Sequence, residues 1–376
     1  MERPRGESAR QLVDELLTIA GIEVGGSADH DIQIHDERFY GRVIRDRELG
    51  LGETYQEGWW DSPRLDKTLA LVMESQIKHR ITRSPRLIAL ALRARAQNMQ
   101  TVRRAAQNAS AHYDIGNDLY ERMLDKRMIY SCGYWDKAAD LDAAQEAKLD
   151  LICAKLHLEP GMRLLDIGCG WGGFAQYAAE RYGVHVTGIS PAAEQVKVAA
   201  ERCKGLDVDI QQRDFREMTG SYDRIVSIGM LEHVGPQNYQ TFFDRNKELL
   251  APGGIMLHHT IGSNLTKNHT DPWFDKYIFP GGVTPSIEQL GAATRRWWAL
   301  EDVHNFGPDY DKTLMAWHGN IGRRWNEIPS YGEHFRRTWD YYLMGSACAF
   351  RTRHLQLWQI VWRRAGTPSP VYRAVR

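Results

Sequence analysis

The stretch LLDIGCGWGG, residues 164–173, decides the fold of this protein. The apolar strand pattern RLLDIG (163–168) runs directly into glycines, and the helix pattern GFAQYAAERYG (173–183) follows them. Glycines lack a β-carbon, so the backbone can turn tightly here and approach a ligand closely. A glycine-rich turn between a strand and a helix is typical of sites that bind nucleotide-like ligands.

Strand and helix patterns alternate after this turn. Strands are predicted at HVTGIS (185–190), VDIQQ (208–212), YDRIVSIG (222–229), IMLHHTIG (255–262) and finally HLQLWQIVWRR (354–364). Helices are predicted between them, at AAEQVKVAAERC (192–203) and NYQTFFDRNKELL (238–250). This order predicts a mostly parallel sheet with helices on both faces.

An acid two residues before the first glycine indicates which ligand the turn binds. Glycines alone also suit a dinucleotide-binding turn, which normally has an apolar residue where this chain has Asp166. In methyltransferases an acid there orients the loop and the methionine end of S-adenosylmethionine (SAM). We therefore predict an α/β fold from about residue 110 onward, a Rossmann-like class I SAM-dependent methyltransferase with an antiparallel last strand.

One position departs from the common methyltransferase pattern. Many of these enzymes end the second strand with an acid that holds the ribose hydroxyls, whereas HVTGIS ends with Ser190. Gln195, one turn into the next helix, could supply a polar contact instead. The departure indicates a subfamily rather than a different cofactor.

The N-terminal part predicts a separate, small α+β or helical domain. ARQLVDELLTIAG (9–21) has helical periodicity, DIQIH (31–35) alternates like a strand, and YGRVIRD (40–46) fits either a strand or a helix. We divide the chain into a domain for lipid docking or dimerisation (1–82), a basic linker helix (83–109) and a catalytic domain (110–376).

Residues 75–111 carry eight Lys or Arg side chains and no acid. Ser84 and Pro85 form a good helix start, because a hydroxyl cap precedes a proline at the first helical position. Two interpretations stay open, a solvated linker helix and a basic surface that faces anionic lipid headgroups.

Composition excludes several classes. Lys plus Arg and Asp plus Glu both number 48, so no overall charge points to nucleic acid. The five cysteines are odd in number and form no CxxC pair, so neither a disulfide framework nor a metal site is expected. No secretory signal and no run of about 18 apolar residues is present. We expect a cytoplasmic protein with, at most, peripheral contact to the inner face of the membrane.

Motifs along nearly the whole chain closely resemble the cyclopropane-fatty-acyl-phospholipid synthase family, and its bacterial phospholipid-modifying branch in particular. Besides LLDIGCGWGG, the resemblance rests on GLGETYQEGWWD (50–61), HYDIGNDLYERMLD (112–125), MIYSCGYW (128–135), RIVSIGMLEHVG (224–235), HTIG (259–262), DPWFDKYIFPGG (271–282), HNFGPDYDKTLMAW (304–317) and FRTRHLQLWQIVW (350–362).

The resemblance implies a reaction and two sets of site residues. A cis double bond of a phospholipid acyl chain would attack the SAM methyl group, and bound bicarbonate would remove a proton as the ring closes. The matching anion-site positions are Cys132, Glu232, His259, Ile261 and Tyr310. The matching SAM-binding positions are Tyr130, Ser131, Leu164, Leu165, Asp166, Ile167, Gly168, Cys169, Gly170, Trp171, Gly172, Ser190, Gln195, Asp214 and Phe215. The resemblance also implies a homodimer.

Each candidate also has an ordinary structural explanation. His258 and His259 alternate in a strand, so periodicity leaves either one facing the site, and only the HTIG match selects His259. Tyr310 and Cys132 could be buried core residues, and the reaction needs no covalent cysteine. Aromatic rings could stabilise a cation, although core packing explains them equally well: Trp171, Trp273, Tyr277, Phe279, Phe306 and Trp317.

Two other functions remain open at this point. A SAM methyltransferase could stop at methylation of a lipid alkene and give a methyl-branched or methylene product, with the same fold. A protein that binds SAM or lipid without turnover is the other alternative, and the presence of Asp166, the glycines and Glu232 argues against it.

Overall fold

The structure is a computed structural model that describes residues 7–77 and 115–376, together with Pro85, Ile88 and Ala89. The predicted basic linker helix (83–109) therefore lies outside the described residues, except at those three positions. The chain forms two compact units. The sheet unit contains Asn117–Thr270, Gly281–Asn320 and Arg353–Arg376. The N-terminal unit contains the described residues up to Gly116, Asp271–Pro280 and Ile321–Thr352.

A seven-stranded sheet organises the sheet unit. We number its strands β1 (Arg163–Ile167), β2 (His185–Ser190), β3 (Val208–Gln212), β4 (Tyr222–Ile228), β5 (Leu250–Gly262), β6 (Trp298–Asn305) and β7 (Gln356–Arg364). Their order across the sheet is β3-β2-β1-β4-β5-β7-β6. The first five strands in that order pair in parallel, and β7 is antiparallel to both neighbours.

The helices of the sheet unit connect these strands. They are α1 (Asn117–Met123), α2 (Leu141–Lys155), α3 (Gly173–Tyr182), α4 (Ala193–Arg202), α5 (Leu231–Val234), α6 (Tyr239–Leu249), α7 (Ile287–Thr294) and α8 (Pro308–Gly322). The strand and helix patterns read from residues 163–262 are confirmed. Within this range β5 begins earlier than predicted, at Leu250, and β6, further along the chain, was not predicted.

Two hydrophobic clusters cover the two faces of the sheet. Successive residues of a strand point to opposite faces. In β1, Leu165 and Ile167 therefore join one cluster, whereas Leu164 joins the other. Both clusters are buried around these positions, and a shift of β1 by one residue would exchange its two faces. The burial therefore fixes the register of β1 and the position of the glycine turn at its carboxyl end.

The N-terminal unit is mostly helical and discontinuous in sequence. Its helices are Glu7–Ile19, Arg38–Asp46, Glu48–Gln56, Leu65–Glu74, Pro272–Tyr277 and Glu333–Arg351, and a pair of two-residue strands joins Gln33–Ile34 to Trp60–Asp61. YGRVIRD is thus helical. The expectation of one continuous domain over residues 110–376 is wrong in detail, because two later segments pack with the N-terminal unit.

Buried polar contacts explain this discontinuity. Glu53 accepts hydrogen bonds from Lys276 at 2.7 Å and from Tyr277 at 2.9 Å, and it also pairs with Arg42. Gln56 Nε2 donates to Thr338 Oγ1 at 2.6 Å.

Among the described residues, no helix is long and apolar enough to cross a membrane.

Candidate active site

A cavity of about 390 Å³ opens at the carboxyl ends of the parallel strands, within the range of small-molecule sites. Residues after β1, β2 and β4 line it, where ligands bind in open α/β sheets. Its lining includes most of the predicted SAM-binding residues: Tyr130, Ser131, Asp166, Ile167, Gly168, Cys169, Gly170, Trp171, Ser190, Gln195, Asp214 and Phe215.

Three of the predicted SAM-binding residues do not line the cavity. Leu164 and Leu165 point into the two hydrophobic clusters instead, because they precede the end of β1. Gly172 caps the start of α3, with a φ of 79°. A Cβ there would lie 3.0 Å from Ala199 Cβ, so this glycine permits close packing against α4. Their assignment as SAM-binding residues stays a prediction.

Asp166 occupies the position expected of a ligand-binding acid. It is 1% exposed, and its Oδ2 atom has no hydrogen-bond partner among the described residues. Burial raises the pKa of Asp166 to about 7, although the charge of Lys148 opposes this shift. An unsatisfied buried carboxylate costs free energy, so a donor on a bound ligand would stabilise it. The ammonium group of SAM is such a donor.

The side of the cavity formed by β2 is polar without an acid. Ser190 donates from Oγ to Gln195 Oε1 at 3.1 Å, and the N–H of Ala192 donates to Ser190 Oγ at 3.2 Å. Asp214 lies further along the wall, where Arg216 donates to its Oδ1 at 2.7 Å. That hydrogen bond lowers the pKa of Asp214, so this carboxylate is ionised. These groups offer polar contacts to a ribose or an adenine.

Glu232 and Ile261, two of the candidate anion-site residues, contact each other directly. The N–H of Ile261, on β5, donates to Glu232 Oε1 at 2.7 Å. Glu232 Oε2 is buried and has no hydrogen-bond partner among the described residues. Burial raises the pKa of Glu232, against the opposing effect of the Ile261 hydrogen bond. Oε2 is therefore left to contact a polar group of a ligand.

The two neighbouring histidines face opposite sides of β5. His258 packs between Phe242 and Phe243, in the aromatic interior. His259 is 1% exposed, and its Nδ1 lies 3.3 Å from Gln359 Nε2. An amide nitrogen only donates, so the ring accepts at Nδ1 and carries its proton on Nε2.

His259 is therefore a neutral donor. Burial, with smaller contributions from Lys148 and Lys155, holds the pKa of His259 well below its usual range. Its Nε2 has no hydrogen-bond partner among the described residues, so its proton is available to an acceptor. A small anion is an acceptor of that kind.

Cys132 contacts α8, the helix that carries Tyr310. Thr313, one turn after Tyr310, is 4.0 Å from Cys132 Sγ through its hydroxyl. Burial holds the pKa of Cys132 well above its usual range, so the thiol is protonated and unsuited to nucleophilic attack. Tyr310 packs edge-on against Trp317, which in turn contacts Tyr130 at 5.2 Å between ring centroids.

The structure brings the candidate anion-site residues together only in part. Glu232 and Ile261 are hydrogen-bonded, and His259 shares a strand face with Ile261 because they are two residues apart. Cys132 and Tyr310 lie on other elements, where Cys132 contacts Thr313 and Tyr310 contacts Trp317. None of the five is among the residues that line the cavity, so the cavity corresponds to the SAM side of the site.

Sequence reasoning missed a buried cation that lines the cavity, Lys148. It lies on α2, is fully buried, lines the cavity and donates to Ser131 Oγ at 3.0 Å. Burial lowers the pKa of Lys148 to about 8, and the nearby groups Asp125, Cys132 and Asp166 oppose this shift.

Within the described residues, no cluster of His, Cys, Asp or Glu could hold a metal ion.

The aromatic candidates separate into two groups. Trp171 lines the cavity and donates from Nε1 to Asn117 Oδ1 at 3.0 Å. Phe306 lies 5.9 Å from His259 between ring centroids. Trp273 instead packs inside the N-terminal unit, where its Nε1 donates to Gln56 at 2.9 Å. Tyr277 and Phe279 belong to that unit too, which supports core packing for this group.

Comparison with known proteins decides the family. The family model described as mycolic acid cyclopropane synthetase matches residues 100–360. The chain is 49% identical over 362 residues to the cyclopropane-fatty-acyl-phospholipid synthase of Escherichia coli (strain K12), covering 94% of this chain and 93% of that protein. This chain belongs to the cyclopropane synthase family.

Other members of the cyclopropane synthase family differ in their named products. A tuberculostearic acid methyltransferase of Mycobacterium tuberculosis is 32% identical, covering 87% of this chain and 81% of its own. A mycolic acid cyclopropane synthase solved in complex with SAH and CTAB is 31% identical, with a TM-score of 0.61 over 67% of this chain and 95% of that one. The sheet unit thus has the class I SAM-dependent methyltransferase fold, and the protein is an enzyme of this family.

Proposed function

We propose that this enzyme transfers a methylene group from SAM to the cis double bond of unsaturated phospholipid acyl chains and forms a cyclopropane ring. The observation that carries the proposal is the 49% identity to a cyclopropane-fatty-acyl-phospholipid synthase along 94% of the chain. The cavity at the carboxyl ends of β1, β2 and β4 supports it, because its volume and polar groups suit SAM.

The reaction we propose needs few protein groups but strict positioning. The π electrons of the double bond form a bond to the SAM methyl carbon, and the sulfonium leaves with its bonding electrons as a neutral thioether. An alkene is a poor nucleophile, so holding it against the methyl group supplies much of the rate. The resulting carbocation loses a proton from the new methyl group as the ring closes. Water must be excluded from this cation, which the buried site residues favour.

We further propose that a bound bicarbonate ion accepts this proton. When bound, bicarbonate supplies a small base that can lie beside the cation. Two buried groups suit it: His259 Nε2, which carries a proton, and Glu232 Oε2, and neither has a partner among the described residues. His259 Nε2 would donate to an oxygen of the anion, and the O–H of bicarbonate would donate to Glu232 Oε2. Cys132, Ile261 and Tyr310 would complete the site.

Product analysis tests the proposed function. We would express the protein in cells whose phospholipids contain monounsaturated chains, and examine the extracted lipids by proton NMR. Cyclopropane ring protons, resolved upfield of the ordinary methylene signals, are the expected result. Mass alone is insufficient, because a cyclopropane ring and a methylene (C=CH₂) branch on the acyl chain both add one CH₂ to the substrate. Unchanged acyl chains alongside folded, expressed protein would contradict the proposal.

A second candidate function is favoured by one observation. The tuberculostearic acid methyltransferase relative shares 32% identity across 87% of this chain, so the fold also suits a methyl-branching enzyme. In that case the lipid extract would show a methyl branch or vinylic methylene protons instead of ring protons. The higher identity to the cyclopropane-forming relative makes ring closure our first choice.

The homodimer, the cytoplasmic location and the peripheral contact with the inner face of the membrane stay predictions. An enzyme that modifies acyl chains must reach them from the bilayer surface, which supports a docking surface somewhere on the chain. Sedimentation of the purified protein, at concentrations spanning the micromolar range, would test the dimer directly.

A further inference from the structure

Lys148 and Gln145 lie one turn apart on α2 and hold the same short segment, Tyr130–Cys132, against the cavity. Gln145 Nε2 donates to the backbone oxygen of Ser131 at 2.8 Å. Lys148 Nζ donates to the Ser131 side-chain oxygen at 3.0 Å. Both α2 side chains are fully buried. Burying a charged lysine costs free energy unless it is paired with an opposite charge or hydrogen-bonded to polar groups. The position of Lys148 at the cavity therefore indicates a role beyond packing.

The direction of the Lys148 hydrogen bond has a consequence for Ser131. An ammonium group only donates, so the Ser131 oxygen must accept from it. The hydroxyl proton of Ser131 is then directed to a different acceptor. Ser131 lines the cavity and is 5% exposed, so its hydroxyl is placed to serve a bound ligand. The positive charge behind it makes that hydroxyl a stronger donor, above all toward an anion.

The charges around Lys148 match one end of SAM. Asp125, Cys132, Asp166 and His259 are the titratable groups that interact electrostatically with Lys148. Of these, Asp166 lines the cavity with Lys148 and has a carboxylate oxygen without a partner among the described residues. A wall that presents one cation and one anion suits a zwitterion. The methionine end of SAM is a zwitterion, and its carboxylate is the only anionic group of SAM.

We propose that Lys148 is a positioning residue that orients the Ser131 hydroxyl toward the carboxylate of SAM, while Asp166 receives the SAM ammonium group. This inference rests on the proposed SAM site and deepens it. Lys148 acts through Ser131 and through its charge, and it takes no part in the transfer of the methylene group.

Calorimetric binding of two ligands tests the role of Lys148. The ligands are SAM and decarboxylated SAM, which keeps the adenosine, sulfonium and amine but lacks the carboxylate. Lys148→Met removes the charge and keeps the side chain's length. We expect it to weaken SAM binding by about 10- to 100-fold, the range for a hydrogen bond to a charged group. Binding of decarboxylated SAM should change little, because this ligand has no carboxylate for the Ser131 hydroxyl to contact.

Lys155 offers a matched control on the same helix. It is also fully buried, two turns further along α2, but its Nζ contacts His304 Nδ1 at 3.0 Å and it does not line the cavity. Lys155→Met should leave the preference for SAM over its decarboxylated form intact. An equal loss for both ligands in Lys148→Met, or no loss for either, would overturn the inference.

A second variant covers the case in which Lys148→Met does not fold. Ser131→Ala keeps the buried charge but removes the proposed donor, so it should also weaken SAM selectively. If Ser131→Ala binds both ligands like the parent, the inference is wrong. A parent that prefers SAM over decarboxylated SAM but forms no ring contradicts the proposed function and leaves this inference standing. The two failures can therefore be distinguished.

Discussion

Glu232 is the residue on which the proposed chemistry depends most. Its Oε1 is fixed by the Ile261 N–H, and its buried Oε2 is left to meet a ligand. Glu232→Gln keeps the size of the side chain but removes its acidity. The amide nitrogen of Gln cannot accept the O–H of bicarbonate, so the anion loses a partner that orients it, and we expect turnover to fall by about 10²-fold, within the range of a positioned acid–base group. SAM affinity should hold, because Glu232 does not line the SAM cavity.

Single-turnover kinetics and calorimetry, on the same protein samples, separate these two effects. Glu201→Gln is the control, since Glu201 is 78% exposed on α4 and forms a surface ion pair with Lys204. A Glu232→Gln enzyme with parental turnover would exclude Glu232 from the proposed bicarbonate site. A parallel loss of SAM affinity would instead indicate that the substitution disturbs the SAM side of the site.

Asp166 and Lys148 show how far sequence alone reaches at the scale of one residue. Asp166 was predicted because its place before a glycine turn is a recurring pattern. Lys148 was missed because a lysine within QEAKLDLIC resembles an ordinary solvated position on a helix. The available signal was its register: Gln145, Lys148, Ile152 and Lys155 recur at helical spacing, and all four are buried. Polar residues on an apolar face predict partners, but the pattern does not name them.

Glu53 determines, at the scale of elements, whether separate segments of the N-terminal unit stay together. Burial raises the pKa of Glu53, but hydrogen bonds from Lys276, Tyr277 and Arg42 outweigh it, so the pKa lies below its ordinary value of 4.5. Glu53→Gln should lower the free energy of unfolding by about 1–3 kcal/mol, because those donors lose a charged acceptor. Urea unfolding monitored by tryptophan fluorescence measures the difference.

The effect of Glu53 also has a defined pH dependence. Because the folded pKa is lowered, the stabilisation is complete above the unfolded value of about 4.5 and is lost as pH falls through the folded pKa. The difference in the free energy of unfolding between the parent and Glu53→Gln should therefore disappear in acid. Glu37→Gln is the control, since Glu37 is 70% exposed and its pair with Arg10 is worth little. A difference that is constant down to strong acid would contradict this assignment.

Local periodicity predicted the elements of residues 163–262 because each strand and helix there has its own apolar face and its own turn signals. It missed β6, where WALEDVHN (298–305) alternates around exposed and half-buried residues and its apolar face is weak. It also missed that DPWFDKY packs with the N-terminal unit. That packing depends on Glu53 and Gln56, which lie more than two hundred positions away in sequence.

Access to lipid is a property of the whole molecule, and our prediction for it rests on charge in the sequence. Residues 75–111 hold eight cations and no acid. Near an anionic membrane each can contribute up to about 1 kcal/mol, and salt screens that attraction. Replacing Arg93, Arg95, Arg103 and Arg104 with Gln should weaken co-sedimentation with anionic vesicles and flatten its salt dependence. SAM affinity should be unchanged.

A matched charge loss elsewhere controls for nonspecific attraction. Lys137, Lys204, Lys267 and Arg295 are exposed on the sheet unit, and their replacement with Gln removes the same charge. If both fourfold variants bind vesicles equally, net charge rather than this segment governs docking. If the first variant binds like the parent at low salt, this docking surface is wrong, and residues 1–74 become the better candidate.

The central claim is that the protein turns an acyl-chain alkene into a ring, and a labelled methyl donor tests it most directly. Purified protein would be incubated with SAM carrying a trideuterated methyl group and with vesicles of a monounsaturated phospholipid. Ring closure after proton removal predicts that the product retains CD₂ within a cyclopropane, as read by mass spectrometry and deuterium NMR together. A product that retains CD₃ as a methyl branch, or CD₂ as a methylene (C=CD₂) branch on the acyl chain, would contradict the account.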